Sequence, residues 1–145
     1  MKIVIQRVKE AKVEVNNEVV GNIKKGFLVF LGVTHTDTKE KADYLVKKLC
    51  NLRVFEDENG KMNLGLKEVS GELLIVSQFT LYANCSSGNR PSFTGAAKAE
   101  QANELYEYFC SECEKNEIKV ERGIFGADMQ VNLINDGPVT IIIEK

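Results

Sequence analysis

The feature that most constrains this chain is a short apolar run that changes abruptly into polar residues. Leu73–Val76, with the sequence LLIV, has the length and branching of a strand buried on both faces. Ser77, Gln78, Phe79 and Thr80 follow directly. If the extended conformation continues, Gln78 and Thr80 point to the same side of the sheet, because side chains alternate along a strand. The run therefore predicts two hydrogen-bonding side chains on one wall at a strand end, in either a structural or a functional role.

A second stretch, Asn135–Thr140 with the sequence NDGPVT, lies between the apolar runs 129–134 and 139–143. Asp-Gly between two such runs normally predicts a hairpin turn. Pro138 argues against a simple turn, because proline cannot donate to a sheet ladder while the preceding glycine tolerates unusual dihedral angles. Gly137 and Pro138 therefore predict a stiff piece of backbone with free carbonyls. The residues alone leave open whether the bond between them is cis.

Length and composition fit one globular domain over residues 1–145, with 43% hydrophobic residues to form its core. No stretch of about 18 apolar residues and no cleavable leader is found, so we expect no membrane insertion and a cytoplasmic location. The net charge of −2 argues against a protein that coats nucleic acid through a broad basic surface. Local phosphate contacts remain open at three short basic groups: Lys24-Lys25, Lys47-Lys48, and Arg90 near Lys98.

Cysteine and histidine content gives little reason to expect a metal site. The four cysteines are scattered, only Cys110 and Cys113 lie one helical turn apart, and His35 is the single histidine. A zinc ion would need four ligands of Cys, His or carboxylate type. We therefore expect reduced thiols, no metal and no cofactor. His35 could serve as a base, but no serine or cysteine is tied to it by spacing.

The order of apolar patterns predicts a mixed, largely antiparallel α/β domain with two main helices on one face of the sheet. Strands are predicted over Met1–Val15, Glu18–Ile23 and Phe27–Val33, and helices over residues 38–52 and 96–116. A sheet face left bare by both helices favours a homodimer, because strands as apolar as these are rarely exposed to water. By pattern alone, Arg7 is interpreted as a surface strand residue.

Both polar motifs together make the sequence resemble the D-aminoacyl-tRNA deacylases, tRNA proofreading enzymes that remove D-amino acids from tRNA. The resemblance covers essentially the whole chain. Its further motifs are VIQRV at Val4–Val8, NRPSF at Asn89–Phe93, and FGADMQV at Phe125–Val131.

This resemblance implies a homodimer with an active site at each end of the interface. The Ser77–Thr80 motif of one subunit would face the Gly137-Pro138 pair of the other, whose peptide bond is cis in the family. The carbonyls of that pair would exclude the side chain of an L-amino acid, so that only D-amino acids and glycine fit. Arg7 would help to hold the cross-subunit element.

The implied reaction is hydrolysis of the ester between the amino acid and the terminal adenosine of tRNA, with recognition centred on the acceptor end. Backbone N–H groups around Phe79 and Thr80 would stabilise the oxyanion. Two mechanisms compete: Thr80 acts as a nucleophile, or the site positions the ester while the 2′-hydroxyl of the RNA assists. We favour the second, because the sequence places no recognisable base next to Thr80.

Two readings from other classes remain open. The domain could be a dimeric binding module that docks a tRNA end without chemistry, or a general hydrolase of small esters that ignores chirality. One departure from the family concerns the loop Asn84–Gly88, which is less charged than the corresponding stretch in many members. Contacts from that loop to RNA are therefore in doubt.

Overall fold

The computed structural model describes all residues from Met1 to Lys145. Its helices are α1 (Lys39–Cys50) and α2 (Ala99–Glu114), and a 3₁₀ turn covers Phe79–Tyr82. Its strands are β1 (Lys2–Val15), β2 (Glu18–Ile23), β3 (Gly26–Gly32), β4 (Phe55–Glu56), β5 (Met62–Leu64), β6 (Glu72–Ser77), β7 (Val120–Arg122) and β8 (Gln130–Glu144). Both predicted helices are confirmed, with ends that lie a few residues inside the predicted ranges.

Six strands form one sheet in the order β2-β1-β3-β6-β7, and β8 pairs with the other edge of β1. β1 is antiparallel to β2, β3 and β8, whereas β6 is parallel to both β3 and β7. The mixed, largely antiparallel sheet is therefore confirmed. A small hairpin of β4 and β5 lies apart from it.

The sheet curves until its two ends nearly meet, which the sequence does not predict. Gly21 in β2 comes so close to β7 that a Cβ atom there would lie 2.9 Å from the Arg122 carbonyl oxygen. Glycine is the one residue without a Cβ, so it permits this approach. The result is an almost closed barrel with α1 and α2 against its outer side.

Two hydrophobic clusters result from this curvature. The larger one, of 24 buried residues, lies between the helices and one sheet face and includes Ile3, Phe27, Leu45 and Phe109. The smaller one, of 7 buried residues, fills the inside of the curve. Its members are Val8, Ala11, Val13, Ile23, Leu28, Leu74 and Val76.

The smaller cluster corrects one expectation. The sheet face opposite the helices was expected to be bare, but β2 and the adjoining halves of β1 and β8 cover part of it. The apolar strands β3 and β6 are consequently buried by their own chain apart from Phe30 and the strand ends. A second subunit is not required to keep these two strands dry.

All four cysteines are free thiols, as expected, and Cys85 alone is exposed. Burial raises the pKa of the Cys110 thiol to about 12. Cys113 lies beside Cys50 rather than acting with Cys110, and their shared hydrogen bond raises the pKa of Cys113. The sequence spacing could not show this pair, because its members come from different helices. No helix in the structure is long and apolar enough to cross a membrane.

Candidate active site

A cavity of about 630 Å³ opens at the carboxyl ends of the parallel strands β3 and β6. Of the 18 residues that line it, 14 are hydrophobic, and Asp128 is the only charged one. Its walls come from residues 76–79, from Phe93, from the first turns of α2 and from residues 125–131. Such a crevice beyond the carboxyl ends of parallel strands is a common place for a ligand.

Ser77 and Gln78 mark where β6 ends at the edge of this cavity. The backbone N–H of Gln78 still donates to the Leu31 carbonyl at 2.8 Å, and the 3₁₀ turn begins at the next residue. The extended conformation therefore does not continue through Thr80, and the side chains of residues 77–80 do not alternate between two faces. The turn packs on bare glycine backbone, since a Cβ on Gly32 would lie 3.0 Å from the Cβ of Leu81.

Gln78 and Thr80 nevertheless lie together, as expected. The Gln78 side-chain amide donates to the Thr80 hydroxyl with an N–O distance of 2.5 Å. No carboxylate or imidazole contacts that hydroxyl, and the one histidine, His35, is hydrogen-bonded through Nε2 to the Thr94 carbonyl at 2.7 Å. An amide cannot act as a general base, so nothing in hydrogen-bond reach activates Thr80 as a nucleophile.

Phe79 is 56% exposed and meets Phe93 edge to face, with 5.1 Å between ring centroids. Both rings line the cavity. The backbone N–H groups of Phe79 and Thr80 begin the 3₁₀ turn, so neither has an acceptor within the turn. The cavity mouth therefore combines two exposed aromatic rings with two available backbone donors.

Gly137 and Pro138 lie in the middle of one long strand, β8, rather than in a hairpin turn. β8 pairs with β1 through Gln6–Thr140 and Val8–Asn135, so four residues, Asp136–Val139, lie opposite Arg7 alone. The Gly137-Pro138 bond is cis, and Gly137 has a φ of 154°, which favours glycine. The motif is thus a bulge in a continuous strand.

Arg7 is 6% exposed, so its interpretation as a surface residue is wrong. Its Nε donates to the Asp136 carbonyl at 2.7 Å, and its Nη1 donates to the Val54 carbonyl at 2.5 Å. The Asp136 carboxylate lies 3.9 Å from Nε. The sequence pattern could not reveal this burial, because the partners are main-chain oxygens that only the bulge and a distant loop provide.

Asn135 is a residue whose contribution the sequence analysis missed. Its Oδ1 accepts from the Val139 N–H at 2.8 Å, while its Nδ2 donates to the Val139 carbonyl at 3.2 Å. The side chain thus bridges the base of the bulge. Asparagine before Asp-Gly is a weak signal for such closure, because its amide readily bonds to nearby backbone.

The two motifs lie far apart within one chain. Arg7, which contacts the bulge, pairs with Phe27 near the start of β3, whereas Leu31 near its end pairs with Ser77. Four residues along a strand span about 13 Å, and three strand spacings from β8 to β6 add about 14 Å sideways. The separation of roughly 20 Å excludes joint contact with one small ligand in a single chain.

The described residues include no group of three or more His, Cys, Asp or Glu side chains that could share a metal ion. The polar side chains that line the cavity are Ser77, Gln78 and Asp128. What this arrangement offers chemically is binding of an apolar, aromatic group beside a pair of backbone hydrogen-bond donors.

Comparison with known proteins agrees with the resemblance. Residues 4–144 match the family model described as D-Tyr-tRNA(Tyr) deacylase. The D-aminoacyl-tRNA deacylase of Thermosipho africanus is 56% identical over 145 residues, which cover 100% of this chain and 97% of that protein. The one from Pseudoalteromonas translucida is 60% identical over 136 residues, or 94% of each chain.

Two solved structures have the same fold. One, titled c-Myc DNA Unwinding Element Binding Protein, has a TM-score of 0.92 and 43% identity, and the match covers 100% of this chain and 99% of the other. A probable eukaryotic D-amino acid tRNA deacylase has a TM-score of 0.81 over 98% and 97% of the two chains. At 19% identity, that second likeness shows the fold alone. From its full-length sequence match to the curated relatives, this chain belongs to the D-aminoacyl-tRNA deacylase family.

Proposed function

We propose that this protein is a D-aminoacyl-tRNA deacylase that hydrolyses the ester between a D-amino acid, or glycine, and the 3′-terminal adenosine of tRNA. The observation that carries the proposal is the apolar cavity that ends at the Ser77–Thr80 segment. Membership in the family supplies the reaction class. The protein would act on charged tRNA in the cytoplasm as a proofreading step.

The cavity fits the terminal nucleoside of the substrate. RNA-binding sites for unpaired bases usually stack the base on aromatic side chains, and Phe79 and Phe93 present two exposed rings at the mouth. An adenine in the cavity would leave its ribose, and therefore the ester, at the 3₁₀ turn. Asp128 can accept a hydrogen bond from an amino or hydroxyl group of the nucleoside.

Hydrolysis at this site relies on positioning and on oxyanion stabilisation. The N–H groups of Phe79 and Thr80 would donate to the oxygen that becomes negative in the tetrahedral intermediate. Gln78 holds the Thr80 hydroxyl, which remains able to donate its own proton to substrate or water. Because no base contacts Thr80, we favour assistance by the 2′-hydroxyl of the RNA over direct attack by the threonine.

A homodimer would complete the site. A second copy related by a two-fold axis could bring its Gly137-Pro138 bulge to the Ser77–Thr80 segment, which the same chain cannot do across roughly 20 Å. An apolar row suits such contact: Phe30, Val4 and Ile142 pair with one another across β3, β1 and β8. Ile142 is 65% exposed, and such a side chain favours burial in an interface.

The bulge of the partner would then act as the chiral filter. Arg7 and Asn135 fix its backbone, so its carbonyl oxygens cannot retreat from an incoming side chain. An L-amino acid would place its side chain against those oxygens and desolvate them without replacing their hydrogen bonds. A D-amino acid points its side chain elsewhere, and glycine has none.

The test is deacylation of matched D-tyrosyl-tRNA and L-tyrosyl-tRNA by the purified protein at catalytic concentration, with a Pro138→Ala variant in parallel. We expect rapid loss of the D-ester with the L-ester spared, and weaker discrimination in the variant. Cleavage of neither ester above the buffer rate would refute the proposal and favour a binding module. Cleavage of both esters by the unmodified protein would instead indicate a general ester hydrolase.

A further inference from the structure

Three lysines contact two tyrosine rings on the surface that adjoins the 3₁₀ turn, and a fourth, Lys41, lies one helical turn before Tyr44 on α1. This lysine surface consists of Lys2, Lys41, Lys48 and Lys145 with Tyr44 and Tyr82. The ammonium groups of Lys145 and Lys48 lie 4.9 Å and 5.6 Å from the ring centroid of Tyr44. Cation–π contacts at these distances hold flexible lysine side chains near one another despite their like charge.

The lysine surface is continuous with the candidate active site. Tyr82 is the last residue of the 3₁₀ turn that begins at Phe79, and the Lys2 ammonium lies 5.1 Å from its ring centroid. Lys2 pairs in register with Glu144, and the next residue, Lys145, reaches Tyr44 on α1. A strand of RNA leaving the cavity past Tyr82 would therefore meet these lysines next.

Acidic neighbours neutralise the lysine surface only in part. The Lys41 ammonium lies 3.1 Å from the carboxylate of Asp37, whose side chain is fully buried. The surface therefore shows the lysine and not the carboxylate. Glu144 lies 3.3 Å from Lys2 and is exposed. Lys48 and Lys145 have no side-chain carboxylate within salt-bridge distance, so both remain available to an anion.

The two helices differ sharply in charge. α1 carries four lysines and two acidic residues, whereas α2 carries five glutamates and no lysine or arginine. Four of the α2 glutamates are paired with Lys39, Lys115 or Arg122, whereas Lys48 on α1 has no acidic partner, so a polyanion that approaches the cavity is attracted to the side of α1. This difference gives the approach a direction that the net charge of −2 conceals.

We propose that the lysine surface binds the phosphate backbone of the tRNA acceptor arm. The inference rests on the proposed function, because it places the terminal adenosine in the cavity and the preceding nucleotides along Tyr82, Lys2, Lys145 and Lys48. Lysines contribute charge without reading bases, so the contact serves tRNAs of any sequence.

The experiment compares Lys48→Glu combined with Lys145→Glu against Lys47→Glu. Lys47 is the exposed residue before Lys48 on α1. Its side chain points about 100° away from that of Lys48 around the helix axis, and it contacts neither tyrosine. Each protein is assayed on D-tyrosyl-tRNA and on D-tyrosyl-adenosine, an ester without the acceptor arm, over a series of salt concentrations. Binding of uncharged tRNA is measured on the same three proteins.

We expect the double variant to lose about 10-fold or more in kcat/KM on D-tyrosyl-tRNA at low salt. The slope of log(kcat/KM) against the logarithm of the salt concentration should become shallower, by the amount that corresponds to the loss of about one to two phosphate contacts. Its rate on D-tyrosyl-adenosine and both rates of Lys47→Glu should stay unchanged. Binding of uncharged tRNA should weaken in parallel in the double variant alone.

Equal losses in the double variant and in Lys47→Glu would overturn the inference, since they would indicate unspecific electrostatics. A parallel loss on D-tyrosyl-adenosine would also overturn it, because it would place the damage in the catalytic site. If the unmodified protein cleaves neither ester, the proposed function fails. The tRNA-binding measurement then decides on the lysine surface by itself.

Discussion

The two motifs of this chain are built in opposite ways. The Ser77–Thr80 segment ends a strand, passes from half-buried at Ser77 and Gln78 to exposed at Phe79 and Thr80, and is held by one side-chain hydrogen bond between Gln78 and Thr80. The Gly137-Pro138 bulge lies within a strand and is fixed by Arg7 on one side and by Asn135 on the other. The comparison suggests a division of labour in which one motif offers adaptable donors while the other presents a rigid wall.

The largest effect is expected from Arg7→Ala, which removes one of the two side chains that fix the bulge. The change leaves the carbonyls of Asp136 and Val54 without their charged donor in a buried place, and we expect a loss of about 4 kcal/mol in the free energy of unfolding. Urea denaturation measures it. Arg53→Ala is the matched control, because Arg53 also donates twice, to Asn63, but is exposed. A similar loss in both variants would mean that the bulge is not specially fixed.

A second change acts on the bulge through its backbone. A Cβ atom at Gly137 would lie 2.7 Å from the Val139 nitrogen, at a φ of +154°. We expect Gly137→Ala to cost about 3 kcal/mol and to raise hydrolysis of L-tyrosyl-tRNA relative to the D-ester, because the wall must move. Gly60→Ala is the control, since Gly60 also has a positive φ but no atom within 4 Å of the added Cβ. An unchanged ratio of D- to L-ester hydrolysis in Gly137→Ala would argue against the filter.

The Ser77–Thr80 segment should tolerate change better. Thr80→Ala removes a hydroxyl that no base activates, so we expect less than about a 10-fold drop in single-turnover rate, or about 1.4 kcal/mol in the barrier. Thr80→Ser is measured alongside. A drop of several orders of magnitude in the alanine variant, with activity retained by serine and the fold intact, would make Thr80 the nucleophile.

The smallest effect is expected at Tyr82, at the end of the same turn. Its hydroxyl is buried without a hydrogen-bond partner. Tyr82→Phe should therefore leave stability unchanged or raise it by up to about 1 kcal/mol, while the ring that contacts Lys2 stays in place. Thermal unfolding compares the variant with the unmodified protein, and a clear loss of stability would reveal a partner for the hydroxyl.

Periodic patterns predicted most of the fold. The alternation in Met1–Val15 and the helical spacing of Ala42, Leu45 and Leu49 were sufficient, because burial of one face produces both patterns. The closing curvature was not predictable. It depends on contacts such as that of Gly21 with β7, between residues about a hundred positions apart in the sequence.

At the candidate site, residue identity was easier to predict than conformation. The strand pattern of Leu73–Val76 extends into Phe79 and Thr80, because phenylalanine and threonine favour extended structure. The 3₁₀ turn forms instead because Gly32, on a neighbouring strand, leaves room for Leu81. In the same way, no local sequence pattern predicts that Arg7 donates hydrogen bonds to the carbonyl oxygens of residues 54 and 136.

The distance between the motifs has a genetic consequence. If each site draws one motif from each of two copies, a mixed dimer of a Gly137→Ala chain and a chain damaged at Ser77–Thr80 contains one site with both defects and one with neither. Two alleles that each lack selective hydrolysis of the D-ester would then restore it when expressed together, up to half the normal number of selective sites per mixed dimer. Two alleles damaged in the same motif would not.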